Sequence, residues 1–459
     1  MWKVQYALSV LSFLLAVALI SRLIRERRSP GSTVAWLLVM SLVPHLGVPL
    51  FLTFGGRKLK RVKKQKQELY EPIPSTSIPS STLPMERMLL ASGIPPKSEG
   101  NEVALLCSGE EAYHALLQTL RMARHQIHIA TFILSLDPVG KSIVAILEEK
   151  AKEGIQVRLL LDGLGSFWTF RWRLKDLRKA GAKVAYFLPL IHVPFFGHSN
   201  LRNHRKLVLV DGETAILGGM NLAQEYLGGT PDSNRWVDLS LKLSGSAVSS
   251  LEDHFVADWQ FASGETLLSH FPKRTSSCMG HETLQVVASG PDVPGDPLYD
   301  SIVSAIFAAK EHVWIASPYF IPDETLSKSL ELAAKRGVDV RLLIPKKSNH
   351  LLADLCRGGY LRQLEQAGGQ IFYFPGIMMH AKAVIVDDFC AVVGSANFDM
   401  RSLLLNYEIG LFLYSTPAIR EVRDWYASLL ERSIQEPLSK PGFPSDLAAG
   451  IGRILGPFL

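Results

Sequence analysis

The same short pattern occurs twice in this chain of 459 residues, and it constrains the fold more than any other feature. Each copy reads His-x-Lys-x4-Asp and is followed by an asparagine at the same distance from its histidine. The copies comprise His204, Lys206, Asp211 and Asn221, and then His380, Lys382, Asp387 and Asn397. One such match often arises by chance. Two complete copies on strand-like runs predict one site built from two related halves, with a histidine from each.

The similarity between the two halves extends beyond the motif. The matching segments are residues 128–130 with 314–316, 154–160 with 337–343, and 179–181 with 366–368. In each half, helical patterns alternate with runs rich in Val and Ile, which is typical of an α/β sheet covered by helices. We therefore expect two α/β halves, residues 101–270 and 271–435, packed with pseudo-two-fold symmetry so that the motifs meet at the interface. Residues 436–459 are expected to form an apolar C-terminal tail.

The N-terminal part of the chain holds two uncharged apolar stretches, residues 4–21 and 34–54. Each approaches the ~20 residues that a helix needs to cross a hydrocarbon core of ~30 Å. Residues 1–56 are therefore predicted to be a transmembrane anchor of two hydrophobic helices. The alternative interpretation of the first stretch is a secretory signal peptide. The second contains two prolines and a glycine, which favour a kinked or re-entrant segment.

Residues 57–100 are predicted to be a linker that is basic at first and then rich in Pro and Ser. The basic residues are Arg57, Lys58, Lys60, Arg61, Lys63, Lys64 and Lys66. Beside an apolar span, such a run is expected to face anionic lipid headgroups, at roughly 1 kcal/mol per residue. Nucleic acid is the competing partner for a basic cluster. The positive-inside rule favours a cytoplasmic body, although four arginines between the apolar stretches argue the other way.

The motif residues suit chemistry at a phosphodiester. His and Lys at positions i and i+2 of a strand project from the same face, so each copy puts an imidazole beside an ammonium group. Two such pairs, with the amides of Asn221 and Asn397, make a pocket for the non-bridging oxygens of a phosphodiester. One imidazole can attack phosphorus while the other protonates the leaving alcohol. This chemistry needs no metal or cofactor.

Four carboxylates are candidates for supporting roles. A histidine that attacks phosphorus needs an acceptor for its second nitrogen, and Asp238 and Glu408, farther along each half, are candidates. Asp211 and Asp387 belong to the catalytic motifs, yet they stand at expected turns, so we favour a structural contribution. The four cysteines show no metal-ligand spacing and are expected to be reduced. They are Cys107, Cys278, Cys356 and Cys390.

These motifs resemble the signature of the phospholipase D superfamily, in which a paired HxKxxxxD motif precedes a Gly/Ser-rich segment and an asparagine. Here those segments are GGMN at residues 218–221 and GSAN at 394–397. Over nearly its whole length, the chain resembles the bacterial cardiolipin synthases within that superfamily. The supporting segments are NHRK at 203–206, SPYFIPD at 317–323, PKKS at 345–348, DMRS at 399–402, NYE at 406–408, and residues 28–38 and 54–56. Residues 348–350 depart from the family, which often has an acidic residue after Lys-Ser.

The resemblance implies a transphosphatidylation. A histidine attacks the phosphodiester of one phosphatidylglycerol and releases glycerol. The terminal hydroxyl of a second phosphatidylglycerol then attacks the phosphatidyl-histidine, which gives cardiolipin. The resemblance implies His204 as nucleophile and His380 as general acid and then base, although the pseudo-symmetry allows the reverse order. The residues implied to hold the phosphoryl group are Lys206, Lys382, Asn221 and Asn397, and those implied to orient the histidines are Asp238 and Glu408.

The resemblance also implies a location and partners. The chain is expected to be a multi-pass protein of the bacterial inner membrane with a cytoplasmic catalytic body. Its partners would be phosphatidylglycerol and anionic membrane lipids, with no nucleic acid; the oligomeric state is left open. The apolar residues 188–196 and 451–459 either dip into the membrane interface or pack on the core. The alternatives to a synthase are a hydrolytic phospholipase D, a superfamily nuclease, and a membrane scaffold with decayed sites.

Overall fold

The computed structural model describes residues 84–169, 171–188, 201–267 and 280–437. It also describes residues 30–43 and 70–74 and single positions between 17 and 78. Most of the first predicted span, much of the second, the apolar residues 189–196 and the C-terminal residues 438–459 lie outside this part of the chain. The catalytic motifs and their surroundings lie within it.

In the part of the first half that the structure describes, there are seven strands and four helices. The strands are β1 (Ser98–Leu106), β2 (Gln126–Thr131), β3 (Gln156–Asp162), β4 (Lys183–Phe187), β5 (Leu207–Val210), β6 (Thr214–Gly218) and β7 (Ser240–Ser244). Helices α1 (Pro30–Leu42) and α2 (Pro84–Ala91) precede this half. The helices of the half itself are α3 (Gly109–Arg121), α4 (Pro138–Lys152), α5 (Lys175–Lys179) and α6 (Ala247–Ser263).

The second half repeats this arrangement. Its strands are β8 (Glu282–Ser289), β9 (His312–Ala316), β10 (Phe320–Ile321), β11 (Asp339–Pro345), β12 (Gln370–Phe374), β13 (Ala383–Val386), β14 (Cys390–Gly394), β15 (Phe398–Asp399) and β16 (Glu408–Leu413). Its helices are α7 (Pro297–Ala308), α8 (Glu324–Lys335), α9 (Leu351–Gln366), α10 (Met400–Leu404) and α11 (Thr416–Leu430).

One continuous sheet of 14 strands joins the halves, in the order β12-β11-β9-β13-β14-β16-β8-β1-β7-β6-β5-β2-β3-β4. Read outward from its centre, where β1 pairs antiparallel with β8, both halves run through equivalent strands in the same order. Strands β2, β3 and β4 are parallel to one another, as are β9, β11 and β12. The prediction of two α/β halves with pseudo-two-fold symmetry is therefore confirmed.

The parallel strands are buried because helices cover both of their faces. All six residues of β2 are buried, and six of the seven residues of β3. The helices begin at side-chain caps: Ser108 accepts a hydrogen bond from the amide of Glu111, and Asp137 accepts one from Gly140. One large apolar cluster draws residues from both halves, including Leu207, Leu241 and Leu411. The halves consequently share a core.

Within the described residues, no helix is long and apolar enough to cross a membrane. The region before the halves differs from the predicted linker. The later part of the predicted linker is folded: Met85 and Leu89 of α2 are buried in the apolar cluster of the second half, and β1 begins at Ser98. Burial of these apolar side chains outweighs the turn-forming tendency of the neighbouring Pro and Ser residues.

The two motif aspartates terminate equivalent strands, far from the motif histidines along β5 and β13. Asp211 has a φ angle of 55° and Asp387 one of 46°, in the left-handed region that Asp tolerates better than most residues. The carboxylate of Asp211 accepts hydrogen bonds from the amides of residues 124–126, each 2.8 Å long. Asp387 binds the amides of residues 310–312 at 2.8–2.9 Å. Both aspartates therefore anchor a turn, as favoured from the sequence.

Replacement of Asp387 is expected to lower stability rather than change chemistry. Asp387→Ala removes one acceptor from three amides and puts Ala at a positive φ, a loss of about 1–2 kcal/mol in the free energy of unfolding. Asp388→Ala is the matched control, because Asp388 is exposed and pairs only with Arg423 at the surface. Thermal unfolding should show a drop of several degrees for Asp387→Ala alone. Equal drops for both variants would contradict the anchoring role.

Candidate active site

The sheet brings both histidine motifs to one edge. Strand β5 pairs antiparallel with β2, with Leu207 opposite Ala130, so Lys206 lies at the carboxyl end of β2. Strand β13 pairs in the same way with β9, with Ala383 opposite Ala316. The carboxyl ends of parallel strands form the usual ligand-binding edge of an α/β sheet. The motifs thus begin where the parallel strands of each half end.

Backbone hydrogen bonds cross between the halves beside each histidine. The amide of His204 donates to the carbonyl of Tyr407 at 2.9 Å, and the amide of Tyr407 donates to Arg202 at 2.9 Å. The amide of His380 donates to the carbonyl of Val237 at 2.7 Å, and Val237 in turn donates to Met378 at 2.9 Å. Each motif is therefore held by the other half, and the two motifs meet at one seam.

The same exchange pairs each histidine with a carboxylate of the opposite half. Nδ1 of His204 lies 2.9 Å from Oε1 of Glu408, which belongs to the second half. Nδ1 of His380 lies 2.7 Å from Oδ2 of Asp238, which belongs to the first half. The sequence identified both carboxylates as candidates without indicating this crosswise pairing. In each pair the carboxylate accepts from Nδ1, which leaves the lone pair on Nε2. Nζ of Lys382 lies 3.2 Å from Nε2 of His380.

The two pairs differ at one position. Ser395 donates a hydrogen bond from Oγ to Oε2 of Glu408 at 2.5 Å, and its carbonyl oxygen lies 3.1 Å from Nδ1 of His204. Its counterpart, Gly219, has no side chain to offer. A Cβ at Gly219 would lie 2.1 Å from Oδ1 of Asp238, so the glycine gives that carboxylate room. The Gly/Ser-rich segments therefore support the two carboxylates in different ways.

Both lysines are buried beside their histidines. Nζ of Lys206 donates to the carbonyl of His204 at 2.8 Å, and Nζ of Lys382 donates to the carbonyl of His380. Burial lowers the pKa of Lys206 to about 7 and that of Lys382 to about 8. Two ammonium groups with so little solvent around them strongly favour an anionic ligand.

Burial also favours the neutral form of both histidines. It lowers the pKa of His380 to about 3, with help from the neighbouring Lys382 and against the opposing effect of Asp238. Burial lowers the pKa of His204 too, and there Glu408 opposes the shift. A neutral imidazole with its Nδ1 hydrogen bonded to a carboxylate is the form of histidine that acts as a nucleophile or base.

The two motif asparagines differ in their surroundings. Oδ1 of Asn221 accepts a hydrogen bond from the amide of Ile133 at 3.1 Å, which fixes the direction of its amide group. Asn397 is buried, and its Oδ1 has no hydrogen-bond partner among the described residues. An unsatisfied buried amide is costly in the free protein, and such groups are common where a polar ligand binds.

Aromatic rings enclose the histidines, and the sequence patterns did not single them out. The Phe132 ring packs edge-on against His204 at 5.0 Å between ring centroids, and Nζ of Lys206 lies 5.6 Å from its centre. Tyr226 and Trp236 flank His380 at 5.1 Å and 5.5 Å. Phe132 lies just after β2, so its position beside a sheet edge is the one signal that points to it.

A buried charge network lies behind the first motif. Arg205, between His204 and Lys206, donates from Nη1 to both oxygens of Asp258 at 2.8 and 2.9 Å. Its Nε donates to the carbonyl of Glu408 at 3.1 Å. Arg205 therefore joins the first motif to the backbone of the carboxylate that faces His204. The second motif has Ala381 at the equivalent position, so this link exists on one side.

Lys66 departs from the predicted role of the basic run. It is buried, it forms an ion pair with Asp258, and its Nζ lies 2.7 Å from Oδ2 of Asp292. Its ammonium group also lies 4.5 Å from the centre of the Tyr407 ring. Lys66 thus completes the network around Arg205 and does not face lipid. The other six basic residues of the run lie outside the described residues.

The crosswise pairing predicts a selective change in the ¹⁵N spectrum of the histidines. Asp238→Ala should shift the ring nitrogen signals of His380, on the opposite half, while those of His204 stay in place. Signals are assigned from His204→Gln and His380→Gln variants of the full chain in detergent micelles. Asp232→Ala, an exposed carboxylate on the same loop, is the control. A shift of the His204 signals by Asp238→Ala would contradict the exchange.

Sequence comparisons identify the family. Residues 116–259 and 302–430 match the family model described as "Cardiolipin synthase, PLD-like domain". Residues 14–56 match one described as "Phospholipase D-nuclease N-terminal". The chain is 36% identical to the cardiolipin synthase of Alkalihalophilus pseudofirmus, across 95% of this chain and 90% of that protein. It is 33% identical to the cardiolipin synthase of Geobacillus kaustophilus, across 100% of this chain and 94% of that one.

Solved structures agree on the fold. A phosphatidylserine synthase from Haemophilus influenzae superposes with a TM-score of 0.61 at 16% identity, across 78% of this chain and 94% of that one. A polyphosphate kinase from Porphyromonas gingivalis superposes with a TM-score of 0.51 at 14% identity, across 84% of this chain and 56% of that one. At these identities the likeness concerns the fold alone. From the sequence matches, the chain belongs to the phospholipase D-like cardiolipin synthase family.

Proposed function

We propose that this member of the phospholipase D-like cardiolipin synthase family transfers a phosphatidyl group from one phosphatidylglycerol to another, giving cardiolipin and glycerol. The observation that carries the proposal is the meeting of two histidine–carboxylate pairs at one seam with two buried lysines beside them. Such a site has one imidazole to attack phosphorus and a second to transfer protons to and from the alcohols. It also has two positive charges for the phosphate oxygens.

In the first step, Nε2 of His204 attacks the phosphorus of a phosphatidylglycerol. Glu408 accepts from Nδ1 and holds the ring in the attacking tautomer. The bond from phosphorus to the glycerol oxygen breaks, and His380 gives its Nε2 proton to that oxygen. A phosphatidyl-histidine forms and glycerol leaves. Lys206, Lys382 and the amides of Asn221 and Asn397 stabilise the charge on the non-bridging oxygens.

His380 must carry two protons to act as the acid in this step. Burial and Lys382 keep its pKa at about 3 in the free protein, so the charged form is unfavourable there. The incoming phosphodiester brings a negative charge to the same buried site, and Asp238 already accepts from Nδ1. Substrate binding therefore raises the pKa of His380 and supplies the proton donor when the substrate is in place.

In the second step, the terminal hydroxyl of another phosphatidylglycerol attacks the phosphatidyl-histidine. His380, now neutral, takes the proton of that hydroxyl, and the bond from phosphorus to Nε2 of His204 breaks. Water would give phosphatidic acid by the same route, which is the hydrolytic alternative. The aromatic rings of Phe132, Tyr226 and Trp236 around the histidines favour the lipid alcohol, because they limit the room for water.

We further propose that residues 1–56 anchor the protein in the bacterial inner membrane, with the catalytic body on the cytoplasmic side. The match of residues 14–56 to an N-terminal domain of the superfamily supports this, as do the two uncharged stretches. Both substrates are lipids, so an anchored site meets them within the plane of the bilayer. Protease access to the body in inverted and right-side-out vesicles tests this orientation.

Product analysis by mass spectrometry tests the transfer. Purified full-length protein in liposomes of phosphatidylglycerol should yield cardiolipin and glycerol in equal amounts. His204→Ala and His380→Ala should each lower the rate by at least ~10³-fold, because the first variant loses the attacking group and the second loses the proton donor for the leaving group. His114→Ala, an exposed position on α3, is the control. Phosphatidic acid as the sole lipid product would reject the synthase assignment.

The lysine pKa values predict how the rate depends on pH. Lys206 loses its charge as the pH rises through about 7 and Lys382 through about 8, so kcat/KM should fall over this range. On the acid side, the lowered pKa of His204 keeps the nucleophile neutral below the usual histidine range, so protonation of His204 should not lower kcat/KM there. An arginine stays charged, so the Lys206→Arg variant should not show the decline in kcat/KM near pH 7. An acid limb near pH ~6.5 would contradict this assignment.

A further inference from the structure

Large apolar side chains are exposed in the segments that follow two equivalent strands. In the described residues from 84 to 437, eight large hydrophobic residues are exposed, and five of them lie just after β3 or β11. These five, here called the apolar rim, are Leu164, Trp168, Leu351, Leu352 and Leu355. Trp168 is 77% exposed and Leu351 is 72% exposed, the two largest values among the large hydrophobic residues of that part of the chain.

The apolar rim lies at the edge of the sheet where the catalytic motifs begin. Strands β3 and β11 are parallel to β2 and β9, so the loops that follow them emerge at the carboxyl edge. The other three exposed residues lie toward the opposite edge: Met122 caps α3, and Phe307 and Leu332 lie near the ends of α7 and α8. Exposed apolar surface is therefore concentrated on the side of the site.

Hydrogen bonds connect the first loop to the site. Ser166 Oγ donates to the carbonyl of Phe132 at 2.9 Å and accepts from the amide of Leu134 at 3.0 Å. Phe132 is the residue whose ring packs on His204. The amide of the following residue, Ile133, donates a hydrogen bond to Asn221. The loop that exposes Trp168 is thus fixed to the wall of the nucleophile's surroundings.

The second loop is connected to the residues that follow β9. Asn349 accepts a hydrogen bond from the hydroxyl of Tyr319 at 2.5 Å, and His350 packs edge-on against the same ring at 5.6 Å. Tyr319 follows β9 as Ile133 follows β2. Residues 349–350 belong to the stretch in which the chain departs from the family pattern, and they hold the start of α9, where Leu351 is exposed.

Basic residues accompany both parts of the apolar rim. Lys175 is exposed at the start of α5, after the loop of Trp168, and Lys347 is exposed in the loop before Leu351. Large exposed apolar side chains beside lysines fit a surface that is apolar within and anionic outside. An anionic bilayer has both properties, whereas a folded protein partner would need a contiguous complementary face.

We propose that the apolar rim docks the catalytic body on the anionic bilayer surface, with one part of the rim on each side of the paired histidines. The inference rests on the proposed function, since it explains how both lipid substrates reach the site from one leaflet. Because of the pseudo-symmetry, each half inserts its own part of the apolar rim into the bilayer. The seam between the halves then faces the membrane. Undocked, the site would lie above the headgroups and out of reach of the phosphodiesters.

Fluorescence quenching by brominated lipids tests the docking. The chain contains eight tryptophans, so the fluorescence of a single tryptophan must be obtained by subtraction. The fluorescence of the Trp168→Phe protein is subtracted from that of the wild type, or from that of a variant with a tryptophan introduced elsewhere. Full-length protein is reconstituted into vesicles of phosphatidylglycerol and phosphatidylcholine with bromine on the acyl chains. Trp168 should be quenched severalfold more than a tryptophan introduced at Met122, at the opposite edge, in Trp168→Phe/Met122→Trp. The tryptophan introduced at Leu351 in Trp168→Phe/Leu351→Trp should be quenched as strongly as Trp168. Equal quenching of the three probes, or none at Trp168 and Leu351→Trp, would overturn the proposal.

Turnover provides an independent readout. Leu351→Asp/Leu352→Asp should lower the rate on bilayer phosphatidylglycerol roughly tenfold or more, because apolar insertion is lost. The rate on a short-chain phosphatidylglycerol dissolved as monomers should stay unchanged, and Phe307→Asp should behave as wild type on both. Equal losses on both substrates would overturn the docking role. Quenching without any cardiolipin formation would instead refute the proposed function and leave the docking intact.

Discussion

The exchange of backbone hydrogen bonds between the two halves is the interaction on which the site depends. His204 is held by the carbonyl of Tyr407, and His380 by the carbonyl of Val237. The next residues, Glu408 and Asp238, face the same two rings. A half taken alone would hold a histidine without its carboxylate and a carboxylate without its histidine. The duplicated motif therefore makes one site and not two.

Burial gives the seam its chemical character. Both lysines and both histidines are nearly inaccessible to solvent, and this lowers the pKa of each. Buried charges are stable only when paired, so the surroundings supply carboxylates from both halves. Arg205, Asp258 and Lys66 extend this pairing behind the first motif. The arrangement is unfavourable for the free cations and favourable for an anion that neutralises them, which is the property that a phosphodiester site requires.

Much of this organisation was predictable from the residues. Spacing placed His and Lys on one face of a strand, and the internal repeat predicted equivalent halves, because both signals are local. The crosswise pairing of Asp238 with His380 and of Glu408 with His204 was not predictable, since it depends on how the two halves join. Lys66 was assigned to lipid from its charged neighbours, yet Asp258 and Asp292 bind it in the interior. Phe132 and Trp236 carry no motif signal, because an aromatic residue near a strand end is usually core.

The most direct test of a single site with distinct histidine roles uses a phosphatidyl ester of p-nitrophenol. This leaving group needs no proton, so His380→Ala should release about one nitrophenolate per chain and stop, with the phosphatidyl group on His204, because the base for the second step is missing. His204→Ala should release none. A burst from His204→Ala and none from His380→Ala would reverse the roles, and bursts from both would contradict one shared site.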